Sequence, residues 1–133
     1  MTRICLPPFA PALALACVSA VAGCGGPRAE DDPRTMLGSF AMMENAVGDL
    51  CATVLDEAYR TSGDLGTDSD RIGMALAVFM KEAAETPLAA DADLVREKIN
   101  ALERLAASRA PVEQQREAAR TLQAAVSALK AKL

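Results

Sequence analysis

From residue 33 onward, apolar side chains return at helical spacing in four runs. In the first, Met36, Phe40, Met43, Val47, Leu50 and Val54 follow at steps of four, three, four, three and four. That is a heptad seam, the signature of a helix that packs on another helix. Leu37, Cys51, Leu55 and Ala58 widen it. Asp32-Pro33 predicts its start, an Asp N-cap followed by Pro at the first helical position, where a missing N–H costs nothing. Ser62-Gly63 predicts its end, because Gly suits the left-handed cap. Gly38 and Gly48 weaken the run locally, each by about 1 kcal/mol against Ala.

Thr61 to Asp68 is rich in turn residues, and Ser69 is the expected N-cap of the second helix. Ile72, Leu76, Phe79 and Ala83 form its seam, with Met80 alongside, and Thr86-Pro87 closes it. The third run is Leu88, Ala92, Val95, Ile99, Leu102 and Ala106, flanked by Leu94 and Leu105; its start falls either at Pro87 or after Asp91. Ser108 to Pro111 is a short break, with Pro111 suited to a first helical position. The fourth run is Val112, Ala119, Leu122, Val126, Leu129 and Leu133, and Gln115 is the one polar residue on that line.

Strand signals are absent. Helices joined by short connections pack as antiparallel neighbours. The pattern therefore predicts an all-α fold, an antiparallel up-down-up-down four-helix bundle over residues 33–133. The second run reads as short, which leaves one alternative: two helical hairpins that complete a bundle by dimerisation.

The N-terminal segment has a different pattern. Met1-Thr2-Arg3 carries one positive side chain, and Ile4 to Ala22 is apolar or small apart from Ser19. Small residues then lead to Val21-Ala22-Gly23-Cys24. A charge, an apolar segment and small residues form the layout of a secretory signal. The four residues at its end resemble the box of bacterial lipoproteins: an aliphatic residue, a small residue, Gly or Ala, then Cys. The resemblance covers only this segment. It implies residues 1–23 as a signal peptide, cleavage before Cys24, a diacylglyceryl group on its sulfur and N-acylation of the new terminus. Three rival readings exist. An uncleaved membrane helix is opposed by Pro7, Pro8 and Pro11 in the first half of the run. Ordinary secretory cleavage after Ala20-Val21-Ala22 also fits. The third is a cytoplasmic protein with a chance apolar start.

Residues 24–32 then read as the lipidated Cys and a flexible tether. Gly-Gly-Pro-Arg-Ala-Glu-Asp-Asp over 25–32 has no apolar periodicity to bury. The resemblance places the domain outside the cytoplasm, anchored to the cell membrane or the outer membrane. Gly25, rather than Asp, follows the lipid cysteine, which in the enteric pattern favours outer-membrane sorting.

Cysteine usage fits this arrangement. Of four cysteines, Cys5 and Cys17 would leave with the signal and Cys24 would be acylated, so Cys51 alone remains and no intradomain disulfide is expected. Charge is unevenly placed. Glu30 to Asp93 holds 14 acidic and 4 basic residues, whereas Leu94 to Leu133 holds 4 acidic and 8 basic. Either the two halves attract each other within the domain, or the domain presents an acidic and a basic side to different partners. The basic residues are neither dense nor interleaved with aromatics, so nucleic acid is not an expected partner.

Candidate chemistry is sparse. The chain has no His, which removes His-based triads, Cys-His pairs and an axial His for haem. No phosphate loop, dinucleotide fingerprint or His-based zinc motif appears. Met36 and Met43 share a helical face and Cys51 follows two turns later, a weak soft-donor set for Cu(I). Methionines on a seam more often fill core gaps. Asp64, Asp68 and Asp70 crowd one loop, but their spacing is not that of an EF-hand and capping explains them as well. No cofactor and no catalytic residue are expected. The sequence points to a lipid-anchored, non-enzymatic interaction or structural module of the cell envelope. Its expected partners are the membrane through Cys24, an unidentified envelope protein and, in the dimer alternative, a second copy as a homodimer. The alternative is a small-ligand or Cu(I)-binding bundle using Met and Cys side chains.

Overall fold

A computed structural model describes residues 32–60 and 65–133. The signal segment, Val21, Ala22, Gly23 and Cys24, most of the tether, Ser62, Gly63 and Asp64 lie outside the described residues.

Four helices follow one another: α1 (Met36–Leu55), α2 (Gly66–Ala83), α3 (Ala89–Ala107) and α4 (Val112–Lys130). Each packs on its two neighbours around a ring, α1 on α2, α2 on α3, α3 on α4 and α4 on α1, and none packs on the helix diagonally opposite. Contacts run in opposite directions along each pair. Phe40 meets Phe79 at a ring separation of 5.9 Å, while Asp49 meets Arg71 at 3.6 Å. Glu44 meets Lys130 at 2.7 Å, while the Cys51 thiol meets the Ala119 carbonyl at 3.5 Å. The fold is thus the antiparallel up-down-up-down bundle that the four seams predict. With an even number of helices, Asp32 and Leu133 lie at the same end. The expectation of a short second helix is corrected: α2 has 18 residues against 20 in α1. It begins ahead of Ser69, and the single chain closes its own core.

The core is built from the seam residues. Met43, Val54, Ile72, Phe79, Val95, Leu102, Leu122 and Leu129 are fully buried. Such side chains each contribute about 1.5–3 kcal/mol when removed from water. Leu37, Leu94 and Leu133, expected on or beside seams, are exposed instead. Ala58 is also exposed, because α1 has ended before it.

The helix ends depart from expectation for local reasons. Thr35, not Asp32, is the N-cap of α1: its hydroxyl oxygen accepts the Gly38 N–H at 3.0 Å. Asp32 is engaged elsewhere, accepting from the Arg34 backbone and guanidinium, which hold its carboxyl below the usual range. Pro33 therefore precedes the helix. At the other end α1 stops at Leu55, ahead of the expected Ser62-Gly63, because Asp56 turns extended and its carboxylate accepts the Ala58 N–H at 2.7 Å. Helix C-termini favour cations, and α1 has no basic residue in its last turn. Arg116 from α4 supplies one, donating to the Asp56 carbonyl at 3.1 Å.

Ser69 is not the cap of α2; Leu65 occupies that position and Ser69 lies one turn inside, hydrogen-bonded to Glu103. Thr86 does close α2, its hydroxyl donating to the Ala83 carbonyl at 2.8 Å. The third helix starts at Ala89, between the two expected positions. It ends in a left-handed residue, Arg109, at φ 52°. The Arg109 and Ala110 N–H groups bond back to the Ala106 and Leu105 carbonyls, a Schellman arrangement. Pro111 sits one residue ahead of α4, at the cap position.

The uneven charge is used within the molecule. Lys130 and Lys132 of the basic half pair with Glu44 and Asp91 of the acidic half, each at 2.7 Å. Those pairs tie α4 and the C-terminus to the first and third helices, as the intramolecular reading expects.

Candidate functional site

The sulfur-bearing residues do not gather at a surface. Met43 and Cys51 are fully buried on the inner face of α1, and Met36 is partly buried against the same core. The Cys51 thiol donates to the Ala119 carbonyl, and burial pushes its pKa up to about 11. It is therefore a neutral thiol near neutral pH, whereas metal binding and nucleophilic attack both need the thiolate. Met42 and Met74 point to solvent and Met80 is half-buried on α2. Met43 and Cys51 act here as packing groups. Asp68 pairs with Arg71 at 3.5 Å and Asp70 is exposed. No cluster of three or more His, Cys, Asp or Glu suited to a metal exists among the described residues.

A buried polar contact stands where sequence reasoning marked only an odd residue. Gln115 is wholly buried. Its side-chain oxygen accepts from the Tyr59 hydroxyl at 2.7 Å, and its amide donates to the Ala110 carbonyl at 2.7 Å. The geometry fixes the segment after α1 against the start of α4.

The seam between α2 and α3 is one of the open features among the described residues. Two cavities lie along it. One, of about 480 Å³, is lined by Leu65, Gly66, Thr67, Ser69, Asp70, Glu103, Ala106 and Ala107. The other, of about 370 Å³, is lined on its apolar side by the buried Leu76 and Ile99, the half-buried Met80 and the exposed Gly73 and Ala77, with Arg96 and Asn100 also lining it. Ser69 and Glu103 line both, so the two adjoin along the seam as a cleft with a more polar and a more apolar half, and the Ser69–Glu103 hydrogen bond crosses the seam there. Small-molecule sites occupy about 300–1,000 Å³ and mix apolar walls with a few polar groups. Sequence reasoning missed this cleft. Its trace is the row Ser69, Gly73 and Ala77, small residues four apart that sit beside the 72/76/79/83 seam.

Comparison with protein-family models, with curated protein sequences and with solved structures finds no match to this chain.

Proposed function

We propose that the chain is a lipid-anchored protein of the cell envelope whose helical bundle serves as a non-enzymatic interaction or structural module. The observation that carries this reading is Val21-Ala22-Gly23-Cys24 at the end of an apolar N-terminal run. An acyl group on Cys24 holds the bundle at the bilayer. Among the described residues no helix is long and apolar enough to cross a membrane, which is compatible with lipid as the attachment. The lack of His and the neutral, buried Cys51 support a role without nucleophilic or His-based acid–base chemistry.

The test is the mass of the N-terminal peptide from protein isolated out of bacterial membranes. A peptide beginning at Cys24 and carrying fatty acids is expected. A different first residue, or an unmodified Cys24, overturns the reading. Cys24→Ala is expected to shift the protein out of the processed membrane fraction. Stoichiometric copper or a haem absorption band in the purified protein would replace the module with a cofactor-binding bundle.

A further inference from the structure

We propose that the α2–α3 cleft is a binding site for an organic cation with an apolar tail, a primary alkylammonium, its charge paired with Glu103 and its tail laid over Leu76, Met80 and Ile99. The proposal does not depend on lipid anchoring.

Charge selects the ligand. The polar half of the cleft holds two carboxylates, Asp70 and Glu103, beside the hydroxyls of Thr67 and Ser69, and none of its lining residues is Lys or Arg. Glu103 is half-buried and accepts a hydrogen bond from Ser69, and among the described residues no cation lies within ion-pair distance of it. A carboxylate part-shielded from water and without a counter-charge favours a cation brought by a ligand. The cation lining the other end, Arg96, is paired with Asp93 at 2.7 Å.

Shape selects the tail. Arg96 and Glu103 lie seven residues apart on α3, about 10 Å along the helix axis. The apolar lining that accompanies them is Leu76, Met80 and Ile99, with Gly73 and Ala77 exposed beside these. A linear hydrocarbon fits that trough, and a flexible Met suits variable tails. A bare metal ion would leave the apolar half unused.

The experiment uses the full chain purified in detergent micelles, with protein-free micelles as the blank, and titrates hexylammonium by calorimetry. Saturable one-to-one binding is expected, weakening as salt is raised. Hexanol and hexanoate are expected to bind at least tenfold more weakly. Glu103→Gln is expected to weaken hexylammonium tenfold or more while leaving hexanol unchanged. Gly73→Leu provides an independent arm: a Cβ at Gly73 meets nothing within 4 Å, so the larger side chain fills the trough from an open position and is expected to abolish binding with helicity intact. Equal affinity for hexanol and hexylammonium, unchanged binding in folded Glu103→Gln, or no saturable heat overturns the proposal. If Glu103→Gln fails to fold, undiminished binding in Gly73→Leu does so alone.

Discussion

The Tyr59 hydroxyl donates to the Gln115 side-chain oxygen at 2.7 Å, across 56 residues of chain, with both residues buried. A polar residue on a helical seam is costly unless its groups are satisfied. Here the tyrosine supplies a donor and the Ala110 carbonyl an acceptor, so the position stays polar and fixes how α1's exit meets α4. Tyr59→Phe is expected to cost about 1 kcal/mol in urea unfolding, the net worth of one hydrogen bond. Gln115→Leu is expected to cost more, about 1–3 kcal/mol, because it takes partners from both the tyrosine and the carbonyl. The two losses should add to less than their sum in the double variant; strict additivity would show that the contact carries no coupling.

Cys51 makes the bundle sensitive to alkali. Burial raises its folded pKa from 9.0 to about 11. The folded state then holds a proton that the unfolded chain releases. The stabilisation is complete below pH 9 and is lost as pH rises toward 11, on the order of 2–3 kcal/mol in total. Subtracting the unfolding profile of Cys51→Ala isolates this contribution from that of other titrating groups. A difference that stays flat between pH 8 and 11 would count against it. At pH 8 the native thiol should react with a soluble disulfide reagent only as fast as the bundle opens.

Arg109 and Gly48 are wrongly matched to their backbones in opposite senses. Arg109 adopts φ 52° at the end of α3, where a side chain is disfavoured and Gly is not. Gly48 sits inside α1, exposed, with nothing within 4 Å of an added Cβ. Arg109→Gly and Gly48→Ala are each expected to raise stability by about 1 kcal/mol. Thermal melts of the single variants check both, and a lowered midpoint in either would refute the local account.

The interior was legible because burial follows period. Ile72, Leu76, Phe79 and Ala83, and Val95, Ile99, Leu102 and Ala106, are buried as their spacing predicts. The helix ends were less so, because several side chains compete for the same orphan backbone groups. Asp32 is the better capping residue by type, yet Arg34 occupies its carboxylate and Thr35 caps instead. Ser69 looks like a cap until Glu103, 34 residues away, takes its hydroxyl. The cleft depends on how far apart two helices settle, which no single stretch of sequence encodes. Its small residues were visible, but their effect was not.

An even number of helices also decides which way the molecule faces. Because Asp32 and Leu133 share one end, the Ser108–Pro111 connection lies at the opposite pole, about 30 Å away. In the proposed lipid-anchored arrangement, a label on the C-terminus would sit on the anchored side and report on what lies near the root. One inserted at 108–111 would sample the surroundings the bundle reaches into.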